Sequence, residues 1–297
     1  MEPTAKTKPD QKDAVKRWLD RANAGIKRKG EWEKKFEVGT CRKFYDGHQV
    51  DKLTDLAGDR VITINKVGAA VRTAIPNLVF RHPYVRVVGS PSREDTLGQV
   101  LDERAQLLQD TVNSIIRDPQ TQFNEQVYPA LKEAFWSFGC VETGYAADFV
   151  DDATLPKPAL KEGDKTEVEN PVPQVKSESF YVKHIPAKSI VMSGRESSVL
   201  AEHDWIGYFE WMNLEDVKAS PAYAGKTEGL KSTSRDPERD GEETDPDTER
   251  VKVWKLWDQR TQTRLHFADG HDEMLLEKPY KHLNLHFLRF EMQTDSP

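Results

Sequence analysis

Two cysteines in 297 residues, Cys41 and Cys140, neither with a CxxC partner, leave nothing from which to build a disulfide framework or a zinc knuckle. Both are expected to be reduced, partly buried thiols. No apolar run approaches the roughly 18 residues that a membrane helix needs. The opening MEPTAKTKPDQKD has no apolar stretch of the secretory type, so the default expectation is a cytosolic protein with no membrane partner. Catalytic spacings are missing as well. There is no GxxxxGKS/T loop, no GxGxxG after a strand, no GxSxG elbow and no HExxH helix, which removes the P-loop, dinucleotide, serine-hydrolase and zincin classes. A dominant basic face of the kind used for sequence-independent DNA binding is also lacking, because the net charge is −7.

What is present suffices for a folded protein: 37% hydrophobic against 31% charged residues supplies one sizeable core or two modest ones. The charge is unevenly placed. Residues 150–178 carry seven acids against four lysines and residues 224–250 nine acids against five bases, which accounts for the whole imbalance. Residues 1–48 instead carry thirteen bases against eight acids.

From Asp10 to Phe36, Val15, Trp18, Leu19, Ala22 and Ile26 recur at helical spacing, predicting an amphipathic helix weakened by Gly25 and Gly30. The run 64–80 reads as a buried helix bent at Pro76, and Tyr84 to Val88 alternates as a short strand. Leu97, Leu101, Ala105, Leu108, Val112 and Ile115 predict the clearest helix over 94–117. A second spans 121–138, with Phe123, Val127, Leu131, Ala134 and Phe138 on one side and a kink at Pro129, ended by Gly139. Val141, Thr143, Tyr145, Ala147 and Phe149 then share one face of a strand. Strand-like runs follow around Pro186 and at 204–212, where Asn213 is expected to cap a short helix, and from Val251 onward with an Asp269-Gly270 turn. Helices early and antiparallel strands late define an α+β class.

This divides the chain into a basic helical arm (1–48), a helical core ending in a strand (49–149), a charged Pro-rich loop or arm (150–178), strands with a short helix (179–223), an acidic disordered loop (224–250) and a strand-rich segment (251–297). The two charged excursions are expected to lack stable secondary structure or to project as arms, because too little apolar surface offsets an ordering cost of about 1–2 kcal/mol per residue. Leu230 is the single large apolar residue of the second. The nearest approach to a ligand cluster is His266, His271, His282 and His286 with Asp269 and Asp272. Strand periodicity separates these side chains, so no metal is expected. Trp205, Trp211, Trp254 and Trp257 read as core or interface aromatics rather than a base-stacking platform.

Four blocks together resemble the portal proteins of tailed bacteriophages. In KFYDGHQV, Tyr45, Gly47 and Gln49 resemble an aromatic-x-Gly-x-Gln signature. In INKVGAAVRTAIPNLVFRHPYVRVVG, Asn65 opens a helix that closes at Phe80 and Pro83 into a strand at Val85. AFWSFGCVETGYAADF resembles the family's helix-Gly-strand step at Gly139, and VKVWKLWDQ its "EiWD" strand, carried by Trp254, Trp257 and Asp258 with Lys255 in place of an acid.

The resemblance implies a non-enzymatic structural subunit without cofactor, in the wing region that precedes the stem of a portal. The implied partners are further portal subunits in a dodecameric ring, capsid and scaffolding proteins, the large terminase subunit, tail adaptor proteins, and double-stranded DNA passing non-specifically through the channel. The implied location is the capsid vertex of the virion, reached through the host cytoplasm during assembly. No stem, clip or crown follows Pro297, so the expectation is a truncated or split portal. Its association should be weak, with uncovered apolar surface near helix 94–117 or strand 251–257. The rivals are another phage head or tail structural or adaptor protein, and a nucleic-acid-processing enzyme.

Overall fold

The computed structural model describes residues 9–48, 64–79, 83–88, 95–150, 174–194, 200–233 and 249–288. Helices α1 (Pro9–Lys35), α2 (Val38–Asp46), α3 (Lys66–Val79), α4 (Asp95–Arg117) and α5 (Phe123–Ala134) come first. They are followed by β1 (Gly139–Val150), β2 (Gln174–His184), β3 (Ile190–Met192) and β4 (Trp205–Asn213), the short α6 (Leu214–Ala219), and β5 (Arg250–Asp258), β6 (Thr263–Ala268), β7 (Leu276–Pro279) and β8 (Leu285–Leu288). The protein is α+β, with every strand pairing antiparallel.

The larger sheet is a meander in the order β3-β4-β5-β6-β7. Register sets its two faces. On one, Trp254 and Leu256 of β5 stand beside Leu265 and Phe267 of β6, and α1 covers them with Val15, Trp18, Leu19 and Ala22. A strand's side chains alternate, so Val251, Val253, Lys255 and Trp257 face the other way. There Val251 and Val253 meet α6 and Leu230, and Trp257 joins Ile206, Tyr208 and Phe138. β5 is thus covered on both faces. The expectation of uncovered apolar surface at 251–257 is corrected accordingly: Val251, Val253, Trp254, Leu256 and Trp257 are fully buried.

Helix α1 approaches so closely because its seam steps by three and four: Val15, Trp18, Ala22, Gly25, Lys29, Trp32, Phe36. Gly25, expected only to weaken the helix, lies where an added Cβ would sit 3.1 Å from the Trp205 ring and 3.3 Å from the Met192 carbonyl oxygen. Ile26, placed on the seam by sequence, is exposed, while Trp32 is buried. Lys29 is buried too and donates to the Ala187 carbonyl, with Glu33 3.6 Å away.

Burial pushes the Lys29 ammonium down to about 8, against the pull of Glu33. A base with a depressed folded-state pKa has lost its proton in the folded chain while the unfolded chain still holds it, so its contribution to stability rises with pH between about 8 and 10.5 and is constant below. Burial raises Cys140, Tyr208 and Tyr223, which acts in the opposite sense at alkaline pH. The Lys29 effect is therefore read as a difference. Relative to Lys29→Met, the parent should gain up to about 3 kcal/mol of unfolding free energy over that window, measured by urea titration at successive pH values. Parallel pH profiles would show that the Lys29 charge is not buried.

The smaller sheet, β2-β1-β8, carries a long β1–β2 hairpin paired from Val141–His184 out to Val150–Gln174, with an irregularity at Asp148/Phe149. Of the loop or arm expected over 150–178, the two described ends form the base of an arm, with Val150 pairing Gln174, Phe149 pairing Val175, and Asp148 and Ala147 pairing Ser177 and Glu178; 151–173 lie outside the described residues. The second excursion does need correcting. Leu230 is buried against Tyr223, Val217 and Leu275, and residues 224–233 turn back onto the sheet, Thr233 N–H donating to Arg250 O at 3.0 Å. Residues 234–248 lie outside the description.

The helical region departs furthest from its periodicity. Helix α3 runs through Pro76 and buries only Val71, Ile75 and the backbone at Gly68, leaving Ile64, Val67 and Leu78 exposed. Helix α5 ends at Ala134, with Phe138 beyond it, directly before β1. Of the cysteines, Cys140 is buried and Cys41 exposed. Asn213 does cap α6, accepting from Glu215 N–H at 3.0 Å.

Candidate functional site: the α2–α3 clasp and its groove

Two of the sequence blocks converge on one point. Gly47 ends α2 at φ 87°, a left-handed conformation natural to glycine, and its neighbour His48 N–H donates to Lys43 O at 2.9 Å. Asn65 opens α3: its Oδ1 accepts from Gly68 N–H at 2.7 Å, and its Nδ2 donates to Tyr45 O at 2.6 Å. One amide thus caps one helix and holds the end of another. Gly68, which sequence reading passed over, is needed here, since a Cβ would meet Asn65 Nδ2 at 2.6 Å and Tyr45 O at 2.7 Å. The legible signal was the Asn-x-x-Gly spacing. Tyr45 itself is buried, its ring 5.0 Å from Trp136 and under the Lys132 ammonium at 4.9 Å. Gln49 and Phe80 lie outside the described residues.

Replacing Asn65 with Ala should cost about 1–2 kcal/mol through the lost cap and the lost Tyr45 link. Asn65→Asp, which keeps the acceptor but not the donor, should cost less. Thermal melts of both variants measure this, and equal losses would show that the Tyr45 link alone matters and the cap contributes nothing.

Above the clasp lies an open groove of about 390 Å³ lined by Cys41, Phe44, Val67, Val71 and Phe135, with Glu37 at one end. Phe44 and Val67 are more than 40% exposed. The helices α2 and α3 beneath it carry Arg42, Lys43, Lys66 and Arg72 against Asp46, and of the residues lining the groove only Glu37 is charged.

The other sequence-named positions do not join this site. Gly139 starts β1 where a Cβ would sit 2.0 Å from Ala130 O, so β1 and α5 touch backbone to backbone. Trp254 stacks on Phe267 and donates from Nε1 to Asp269 Oδ1 at 2.6 Å. Asp258 accepts from Arg260 N–H and Thr261 Oγ1, both at 3.0 Å, closing the β5–β6 turn. Pro83 is exposed at the start of an extended segment, 83–88. That segment is not a sheet strand. Its pairing comes from side chains of α4: Val85 N–H donates to Asn113 Oδ1 at 2.9 Å, Asn113 Nδ2 to Val85 O at 2.8 Å, and Val87 N–H to Gln109 Oε1 at 3.2 Å.

Helix α4 therefore buries Gln109 and Asn113 beside Ala105; of the expected stripe Ala105 is buried, Val112 and Ile115 are half-buried and Leu108 is exposed. Successive residues are about 100° apart around a helix, so turning Gln109 inward swings Leu108 aside. Leu108 is 53% and Leu107 70% exposed.

A second polar concentration lies between the sheets. Glu142 of β1 is 2% exposed, and its oxygens accept from Tyr208 OH at 2.5 Å, Arg264 Nη2 at 3.1 Å and Asn284 Nδ2 at 3.1 Å. Beside it Glu210 bridges Lys183 at 2.6 Å and Lys255 at 3.1 Å. Burial works against the Glu210 carboxylate, but Lys255 and Lys183 hold it below the usual range, while burial lowers Lys255. Both oxygens of Glu142 are thus already taken up by donors from the fold itself.

The histidines are dispersed through the strand-rich part of the fold. His266 Nδ1 pairs with Tyr223 OH at 2.9 Å, and burial, then Arg264, Lys255 and Lys278, hold it well below its ordinary value. His271 Nε2 meets Lys226 O and His286 Nε2 meets Thr143 Oγ1, both at 2.9 Å. Among the described residues no three His, Cys, Asp or Glu side chains gather as a metal site, and no helix is long and apolar enough to cross a membrane.

No protein-family model matches the chain, and no curated protein matches it.

Proposed function

We propose that this chain is a structural subunit of a tailed-phage portal ring, working by geometry and not by catalysis. The observation that carries the reading is the clasp: Asn65 Nδ2 of one portal-like block donates to Tyr45 O of another, 20 residues away, while the same amide accepts from Gly68 N–H and so caps α3. Residues that a motif scan singled out thus serve to orient helices, as a scaffold requires. The order of helices before antiparallel strands supports it, and so does the structural use of Glu142, whose oxygens are taken up by Tyr208, Arg264 and Asn284.

In this reading the partners are further copies of the chain in a ring, then capsid and scaffolding proteins, the terminase large subunit, tail adaptors and DNA in the channel, with the capsid vertex as the location. A cyclic ring needs two unlike surfaces on each subunit. Sedimentation velocity across a wide concentration range, with electron microscopy of the largest species, tests it. Concentration-dependent growth toward closed cyclic particles is expected, and a strict monomer at every concentration would overturn it.

A further inference from the structure

We propose that residues 221–233 form a proton-operated strap over the larger sheet, closed while His266 is neutral and lifted when that ring takes up a proton. The strap leaves α6, lays Tyr223 and Leu230 against Val251, Val253, Leu275 and Leu276, and returns at Thr233, whose N–H donates to Arg250 O at 3.0 Å. Its inner backbone bonds are local turns, Lys226 N–H to Tyr223 O and Leu230 N–H to Thr227 O, with Gly225 and Gly229 at left-handed φ of 75° and 76°. A segment held this way opens more readily than a strand laddered on both sides.

His266 sits on such a laddered strand, β6, between β5 and β7, and is 5% exposed. Its Nδ1 meets Tyr223 OH at 2.9 Å, and the two rings stand edge to face with centroids 5.7 Å apart. Its Nε2 is buried with no hydrogen-bond partner among the described residues. A neutral imidazole has one nitrogen without a proton to place, whereas an imidazolium carries N–H at both, and a buried donor without an acceptor is costly. Charge acts in the same sense: Arg264 of β6, Lys255 of β5 and Lys278 of β7 all face the ring. The nearby carboxylates are committed elsewhere, Glu210 to Lys183 and Lys255, and Glu142 to Tyr208, Arg264 and Asn284. Burial pushes the Tyr223 hydroxyl up to about 12, so it supplies no phenolate to balance a cation. His266 thus gains a proton by reaching water, and the strap is the cover that can move.

His271 has a different part. Its Nε2 meets Lys226 O at 2.9 Å, and a carbonyl there needs an N–H that neutral and protonated rings both supply. It anchors the strap without sensing acid.

Burial first, then Arg264, Lys255 and Lys278, hold His266 in the closed strap well below its ordinary 6.5, while in the lifted strap it titrates normally. Proton uptake belongs to the lifted state, so closure is complete above 6.5 and is lost progressively as pH falls below it. Hydrogen exchange of the full chain, corrected for the intrinsic rate, reads this. Between about pH 7.5 and pH 5, protection of peptides covering 221–233 should fall up to about thirtyfold, while peptides covering 254–257 keep theirs. His266→Asn, whose amide can still meet Tyr223 but does not titrate, should remove the pH dependence, and His271→Ala should loosen the strap at every pH while keeping it. In the parent, the carbon-13 shift of the His266 ring should remain that of a neutral imidazole at pH 5.5. Unchanged protection at pH 5, loss shared equally by 254–257, loss retained in His266→Asn or abolished in His271→Ala, or a His266 ring that titrates near 6.5 under a protected strap would each overturn the proposal.

Discussion

Arg264→Met should lower the unfolding free energy by about 3 kcal/mol or more, the largest loss expected from any single polar replacement in this fold. Arg264 donates to Glu142 at 3.1 Å, and Glu142 is 3% exposed in its side chain. Removing the guanidinium leaves a carboxylate in the joint between the two sheets with Tyr208 and Asn284 as remaining donors. Methionine retains much of the packing against the Trp257 ring, over which the guanidinium lies at 4.7 Å, so the loss reports charge and not volume. The companion test removes both partners. Glu142→Leu combined with Arg264→Met should recover most of the loss, since an apolar pair of similar volume avoids the desolvation that a lone buried charge incurs. Urea titration of the two single variants and the double variant completes the cycle, and additive losses would mean that Glu142 and Arg264 act independently.

The second large effect is steric. Gly139→Ala should destabilise the fold by about 3 kcal/mol, at or above the upper end of ordinary overpacking. The new methyl would stand 2.0 Å from Ala130 O and 2.6 Å from its carbonyl carbon, and backbone cannot rotate aside as a side chain can. Strand β1 would have to withdraw from α5, drawing Phe138 and Cys140 out of the core that joins the sheets. Gly25→Ala is the contrasting control. Its neighbours would be the edge of the Trp205 ring at 3.1 Å and the Met192 carbonyl oxygen at 3.3 Å, contacts relieved by a shift of a few tenths of an ångström, and alanine's better helix propensity, about 1 kcal/mol over glycine, works in its favour. A melting temperature for Gly139→Ala close to that of the parent would show that α5 and β1 have room to separate.

Both expectations concern features whose local pattern was legible while their partners were not. The α1 seam from Val15 to Ala22, the Asn213 cap and the Asp269-Gly270 turn follow from spacing or from a residue's own backbone preference, and each is where the sequence places it. Gly139 was recognised as a helix-to-strand step, but its necessity comes from Ala130, nine residues earlier, closing on it. Asn65 was recognised as a helix start, but its hold on Tyr45 depends on how α2 arrives. Of the candidate site, then, individual residues could be named in advance and the groove could not, because Phe44, Val67 and Phe135 come from three helices.

What the sequence by itself determined is the class of the fold and the kind of each element, since three- and four-residue steps and two-residue alternation record which side chains avoid water. Tertiary structure alone decided which of those faces found a partner. In α4 the predicted stripe runs through Ala105 and Leu108, yet Gln109 and Asn113 join Ala105 in the buried face and Leu108 is left exposed, because an extended segment offers unpaired N–H and C=O groups that amides satisfy and leucines cannot. Leu230 lies in an acidic segment and is buried all the same, because Val217, Tyr223 and Leu275 leave room for it against the sheet. Glu142 occupies a strand position that alternation marks only as facing away from Val141, and its burial is stabilised by donors 66, 122 and 142 residues away. Periodicity reports avoidance of water along one element. Burial of a polar group needs donors from elsewhere in the chain, and only folding brings them together.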